Sequence, residues 1–245
     1  AAGADVAKDQ SYTAERSVTA ARAPDRAAHF RRLQLTPEAT RALAAHARAA
    51  GIAFLSTPFD IEAVDLLDPL VDAFKIASGD VTFVPLLRAV ARRGKPVFLS
   101  TGLAGEAEIA AAVGVIRASN PPLVARGGLT LLHCVSRYPV PDDSANLEAI
   151  PWLRERFSLP VGYSDHTVGI EAALAAAALG ATVIEKHFTL DKTRTTLRDH
   201  ALSADPQDLA ALVRGVRRVA AMRGARAKPV AEGERANRRD FRRAI

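Results

Sequence analysis

Short runs of apolar and β-branched residues alternate along this chain with longer Ala- and Leu-rich windows. That cadence predicts a parallel sheet built from βα units. The short runs place strands at Ala4–Lys8, Ala53–Thr57, Ala73–Ser78, Pro96–Thr101, Thr130–Val135, Val161–Ser164 and Ala181–His187. Between them the pattern predicts helices over Ile61–Leu67, Phe83–Arg93, Ala104–Ala118, Leu147–Phe157, Ile170–Leu179 and Pro206–Met222. A further helix begins near Thr36, where Thr36-Pro37-Glu38 offers an N-cap, a proline in the first turn and an acidic residue. In the last helix Leu209, Leu212, Val213 and Val216 share an apolar face. Ser11–Arg32 reads as a long loop, and residues 228–245 as a linker or arm following a domain over 1–227.

The repeating order points to an α/β fold of the TIM-type (β/α)8 barrel, with about seven of its eight units. The expected missing piece is an N-terminal strand, since Ala1–Asp5 reads as the end of a helix running into a strand. An open doubly wound sheet would also tolerate seven strands, but no glycine-rich phosphate fingerprint follows an early one.

With 245 residues, 49% of them apolar, the chain can build one large core. No apolar run approaches membrane-spanning length and no basic-then-apolar leader opens the sequence, so no membrane partner is expected. The single cysteine, Cys134, cannot form an internal disulfide and suits a reducing cytoplasm. The formal net charge of +6 owes much to the C-terminal arginines, among them Arg214, Arg217, Arg226 and Arg238. Only Phe241 interleaves the last of them, so the reading is a solvated Arg-rich helix and no nucleic-acid partner.

In βα architectures chemistry gathers at the C-terminal ends of strands, and all seven expected ends here are polar. They include Lys8-Asp9-Gln10, Ser56-Thr57, Lys75 to Asp80, Ser100-Thr101-Gly102, His133 to Tyr138, Tyr163 to Thr167 and Glu185-Lys186-His187. His166 and His187, at the ends of adjacent strands, suit a divalent cation with open positions, or else two hydrogen-bonded histidines without metal. Asp165 and Glu185 are the nearest groups to orient them. His133 and His200 compete as ligands, with His133 read as a satisfied core residue. Lys8 and Lys75 converge on one mouth, where they would repel unless an anion lies between them. With Ser78, Ser100 and Thr57 they form either a cradle for a small polyanion or separate pairs with local acids, such as Lys75 with Asp80 or Glu185.

The segments Ser56–Asp60, Lys75–Asp80, Leu99–Gly102, Leu132–Cys134 with Tyr138-Pro139, Gly162–Glu171 and Ala178–Asp191 resemble the sialic acid synthase family, in order and over essentially the whole chain. The resemblance implies condensation of phosphoenolpyruvate with N-acetylmannosamine or a related amino sugar, giving a nine-carbon 2-keto sugar acid and phosphate. By resemblance Lys8, Gln10, Thr57, Lys75, Ser78, Asp80, Ser100 and Ser164 hold or face phosphoenolpyruvate. His166 and His187 then ligate Mn²⁺ or Mg²⁺, while Tyr138, Ser136, Glu185 and Asp199 meet the sugar or the intermediate. Family members are often homodimers in which a C-terminal antifreeze-like domain caps the partner's site.

The chain departs from the family pattern in several places. Nothing matches the family's acidic first strand, and Asp9 stands where an aromatic residue is usual. Asp80 replaces the commoner Glu, and Arg198 precedes Asp199 where proline is usual. Two other readings of the same residues are a catalytically impaired remnant or binding scaffold, and an unrelated metal-dependent barrel aldolase.

Overall fold

Among the described residues seven parallel strands carry the architecture: β1 (Val6–Ser11), β2 (Ala53–Pro58), β3 (Phe74–Ile76), β4 (Val97–Ser100), β5 (Leu129–Cys134), β6 (Val161–Asp165) and β7 (Ile184–Lys186). The computed structural model describes residues 2–17, 24–195, 198–225 and 227–243, so Arg226 and the middle of the expected Ser11–Arg32 loop lie outside the described residues. Ladders join β1 to β2, and β3 through β7 in chain order. β3 runs beside β2 without a ladder. Lys8 on β1 nevertheless meets Glu185 on β7 at 3.7 Å, so the sheet is rolled until its first and last strands face each other. Among the described residues no ladder joins β7 to β1, and no eighth strand is present.

The helices are α1 (Ala14–Ser17), α2 (Pro24–Leu33), α3 (Pro37–Ala49), α4 (Ile61–Leu67), α5 (Val84–Arg92), α6 (Glu106–Ser119), α7 (Pro121–Ala125), α8 (Ala149–Phe157), α9 (Glu171–Ala178), α10 (Pro206–Arg223) and α11 (Glu232–Phe241). Several of their starts follow from side chains that satisfy otherwise unpaired amides. Thr36 accepts from Ala39 at 3.2 Å, Asp60 from Ala63 at 2.7 Å, and Asp205 from Gln207 and Asp208 at 2.8 and 2.9 Å.

Ladder partners in a parallel sheet point to the same side. One side carries Phe74, Ile76, Leu99, Leu131 and Val161, which pack with Leu67, Leu87, Ile116 and Ile150 of the helices into one core. His133 lies on this side too, hydrogen-bonded to the Ala145 carbonyl at 2.9 Å and stacked on Tyr163, which makes it the satisfied core residue expected. The opposite side lines the interior of the roll and is polar.

Four local features differ from the predicted pattern or add to it. The Ser11–Arg32 stretch is not simply a loop: it contains α1 and α2, with Tyr12 packing on Phe30 at 5.0 Å between ring centres. β1 begins and ends later than expected, because its weakly strand-forming Ala-Lys-Asp-Gln-Ser run is held by six ladder pairs with β2. The short α7 went unanticipated; it is started by Asn120, which accepts from Leu123 at 3.1 Å. The 228–245 tail carries α11, a helix whose Glu234 side chain accepts from the Ala231 amide.

Candidate active site

The interior is built by residues that the ladders bring onto one face. Lys75 aligns with Phe98, Ser100 with Leu132, Cys134 with Ser164, and Ser164 with Glu185. Lys8 and Gln10 project from β1 on the same side as their partners Leu55 and Thr57. Glu185 lies between the two lysines, 3.7 Å from Lys8 and 3.5 Å from Lys75, and Ser164 donates to it at 3.4 Å. Of the two readings open for the lysines, this structure shows pairing with a local acid, and that acid is Glu185 rather than Asp80.

Electrostatics follow from this crowding. Burial pushes the Lys75 pKa down, and Lys8 adds to that, while Glu185 pulls it back. Burial alone would raise the Glu185 pKa, but Lys8, Lys75 and the two histidines outweigh it and hold it at about 2. Glu185 is therefore a carboxylate across the physiological range.

Beside this triad Ser100, 2% exposed, keeps a buried hydroxyl with no hydrogen-bond partner among the described residues. Ser78 accepts from the Gly102 amide at 3.1 Å. A side chain at Gly102 would meet Ser136 at 2.4 Å and Ser78 at 2.8 Å, so only glycine lets these hydroxyls close in. Asp80 ends the same turn, with one buried oxygen unpartnered, and burial raises its pKa to about 6 against the pull of Lys75. Thr57 is buried, while Gln10 stands exposed at the rim.

His166 and His187 face each other with ring centres 5.2 Å apart, and Tyr138 packs on both, at 4.2 and 5.9 Å. The expected orienting acids do not touch the rings. His166 places Nδ1 3.0 Å from the Val135 carbonyl and 3.7 Å from the Cys134 sulfur, whereas Asp165 turns away toward the helices. Burial lowers the His187 pKa, and His166 lowers it further against the pull of Asp199 and Glu185. Asp199 is thus an electrostatic neighbour of His187, and His200 bonds instead to the Thr189 hydroxyl at 2.8 Å.

A groove of about 860 Å³ opens from Cys134 and Ser136 toward α6 and α8, with Leu103 and Trp152 on its lip. Leu103, 79% exposed, adopts a positive φ of 65°, a conformation that costs a branched side chain energy.

This geometry can be set beside known proteins. The family model described as the NeuB family matches residues 1–228. An N,N'-diacetyllegionaminic acid synthase of Campylobacter jejuni is 42% identical over 248 residues, covering 96% of this chain and 73% of its own length. A Legionella pneumophila protein of the same name is 36% identical over 256 residues, covering 99% and 71%. The crystal structure of an N-acetylneuraminic acid (sialic acid) synthetase from Leptospira borgpetersenii superposes with a TM-score of 0.90 at 34% identity, covering 99% of this chain and 84% of that one. The chain belongs to the NeuB family.

Membership in the NeuB family brings an expectation of a divalent cation, and the residues present fit one. His166 commits Nδ1 to a backbone carbonyl, which leaves Nε2 free as a ligand. Burial and mutual repulsion favour a neutral His187. The rings are close enough for one cation to touch both. Among the described residues no set of three or more His, Cys, Asp or Glu converges, so a cation here would rest on these two side chains with other positions open.

One departure noted in the sequence looks different in place. Asp9 shares a face with Ser56, on the helix side of β1, so it does not line the interior. Its carboxyl is buried beside Ser56, and burial raises its pKa against the pull of Ser56 and Lys8. The sequence did not single out Cys134, which touches both Ser78 and His166, nor the groove lip. Nothing in the residue pattern signals the backbone twist at Leu103. No helix among the described residues is long and apolar enough to cross a membrane.

Proposed function

We propose that this chain condenses phosphoenolpyruvate with an N-acetylated amino sugar to give a nine-carbon 2-keto sugar acid and phosphate. The observation that carries the reading is the convergence of Lys8 and Lys75 within 3.7 Å of one carboxylate, in the chamber where His166 and His187 also face each other. Two ammonium groups, buried Lys75 and half-buried Lys8, sharing a single anion leave positive charge for a second one. The unpartnered Ser100 hydroxyl, with Ser78, Ser164, Thr57 and Gln10, supplies neutral donors for phosphate and carboxylate oxygens.

In this reading C3 of the enol attacks the sugar aldehyde carbon, water adds at C2, and the tetrahedral adduct releases phosphate. Mn²⁺ or Mg²⁺ held by His166 and His187 would supply Lewis-acid polarisation of the aldehyde. Glu185, whose pKa the lysines hold low, serves as counter-charge to them and as acceptor for a sugar hydroxyl. Asp80, with its raised pKa, is the nearby carboxyl able to carry a proton near neutral pH. Tyr138, Ser136 and Asp199 border the place the sugar would occupy, and the groove beyond Ser136 gives its body room. The two relatives named for a diacetylated sugar acid favour including diacetamido hexoses among the substrates tested.

The test is incubation with phosphoenolpyruvate, Mn²⁺ and a panel of 2-acetamido and diacetamido hexoses, with phosphate and 2-keto acid measured together. Equal release of both with one sugar is expected. Phosphoenolpyruvate binding without release for any sugar would favour a binding scaffold, and no binding would sink the reading.

A further inference from the structure

The two histidines are each preceded in sequence by a charged residue, Asp165 and Lys186, and those two residues are partners in the β6–β7 ladder. Their side chains leave the interior and meet on the helix side, Lys186 Nζ lying 2.8 Å from Asp165 Oδ2, with exposures of 2% and 0%. Both are engaged chiefly with each other and with Thr167. Lys186 also donates to the Thr167 carbonyl at 2.6 Å, and the other Asp165 oxygen accepts from the Thr167 amide and hydroxyl, both at 2.8 Å.

A buried ion pair of this kind is a weak source of stability, because desolvation offsets its attraction. What it does supply is geometry. It ties the end of β6 to the end of β7 at the residues immediately before His166 and His187, and Thr167 closes the same link just beyond His166. We propose that Asp165 and Lys186 form a positioning pair that sets the separation of His166 and His187, and so the affinity of the site for a divalent cation. The role rests on the reading of the two histidines as ligands.

The experiment measures Mn²⁺ binding to the full chain by the loss of the free-ion EPR signal. Thermal melts and inorganic phosphate binding are followed in parallel. Lys186→Met and the double variant Asp165→Asn/Lys186→Met should lose about 10- to 100-fold in Mn²⁺ affinity. Phosphate binding at the lysines should hold within about 2-fold, since the pair lies on the other side of the sheet. The double variant, which buries no unpaired charge, should melt near the wild-type temperature and still bind Mn²⁺ weakly, a split that a purely structural role would not produce. Thr167→Val, which removes one donor to Asp165, gives a milder loss in the same direction and serves if the others fail to fold. Folded variants that bind Mn²⁺ like the wild type would overturn the positioning role. His166→Ala binding Mn²⁺ as tightly as the wild type would instead remove the histidine reading beneath it.

Discussion

The two sides of one sheet have been built for opposite ends. On the helix side Leu131, Leu99 and Phe74 are fully buried and pack against apolar helix residues. On the interior side, one residue along the same strands, stand Lys75, Ser100, Ser164 and Glu185. The helix side gains by removing apolar surface from water. Among the described residues the interior leaves a hydroxyl and a carboxyl oxygen without hydrogen-bond partners and holds two ammonium groups around one carboxylate. Unsatisfied polar atoms do not help a chain to fold. They are what a polar ligand needs.

The sharpest way to break this comparison is a core truncation on the helix side. Leu131→Ala should cost about 2–5 kcal/mol of stability in a thermal or urea melt, with phosphate binding to the folded fraction unchanged. If binding fell with stability, the two sides would not be separable.

Next in size is Lys75→Met in the interior. Losing a charged hydrogen-bond donor should weaken phosphoenolpyruvate binding by about 1.5–3 kcal/mol in calorimetry. The melting temperature should move far less than for Leu131→Ala; equal affinity would reject the anion cradle.

A smaller effect concerns Asp80. Its folded pKa of about 6 lies above the unfolded value, so the folded state binds more protons between about pH 4 and pH 6. Stability should therefore fall as pH rises through that window, by on the order of 1–2 kcal/mol once its partial exposure is allowed for. Asp80→Asn should flatten that slope in melts taken across the window. An unchanged slope would show that the carboxyl titrates normally.

The smallest effect belongs to the outer surface. Arg217 of α10 bonds the Gly3 carbonyl and Asp5 at 2.8 and 3.1 Å, with both side chains largely exposed. Arg217→Ala should cost under about 1 kcal/mol and lose what effect it has in high salt.

Much of this was legible in the residue pattern. The β-branched runs marked every strand, and the cap signal at Thr36 marked a helix start that the structure keeps. The polar groups at the strand ends do meet, as Lys8, Lys75 and Glu185 show, because a loop-facing strand end is where polar groups escape the core. β1 was the hardest strand to bound. Its local propensity is weak, and only the ladder to β2 extends it through Asp9 and Gln10 to Ser11.

The orientation of the site was not legible. Asp165, beside His166, looked like its natural partner, yet strand alternation sends it to the far face, where Lys186 waits across the ladder. Asp9 was displaced from the chamber by the same alternation.

The sequence by itself determined the βα repeat, the family and the set of chemical groups at the strand ends, because those depend on residue type and local spacing. Only the tertiary structure decided which groups meet: Glu185 between two lysines, His166 against His187, Asp165 with Lys186. Each of these contacts joins residues on different strands. Their meeting depends on ladder register and on the roll of the sheet, which no local pattern encodes.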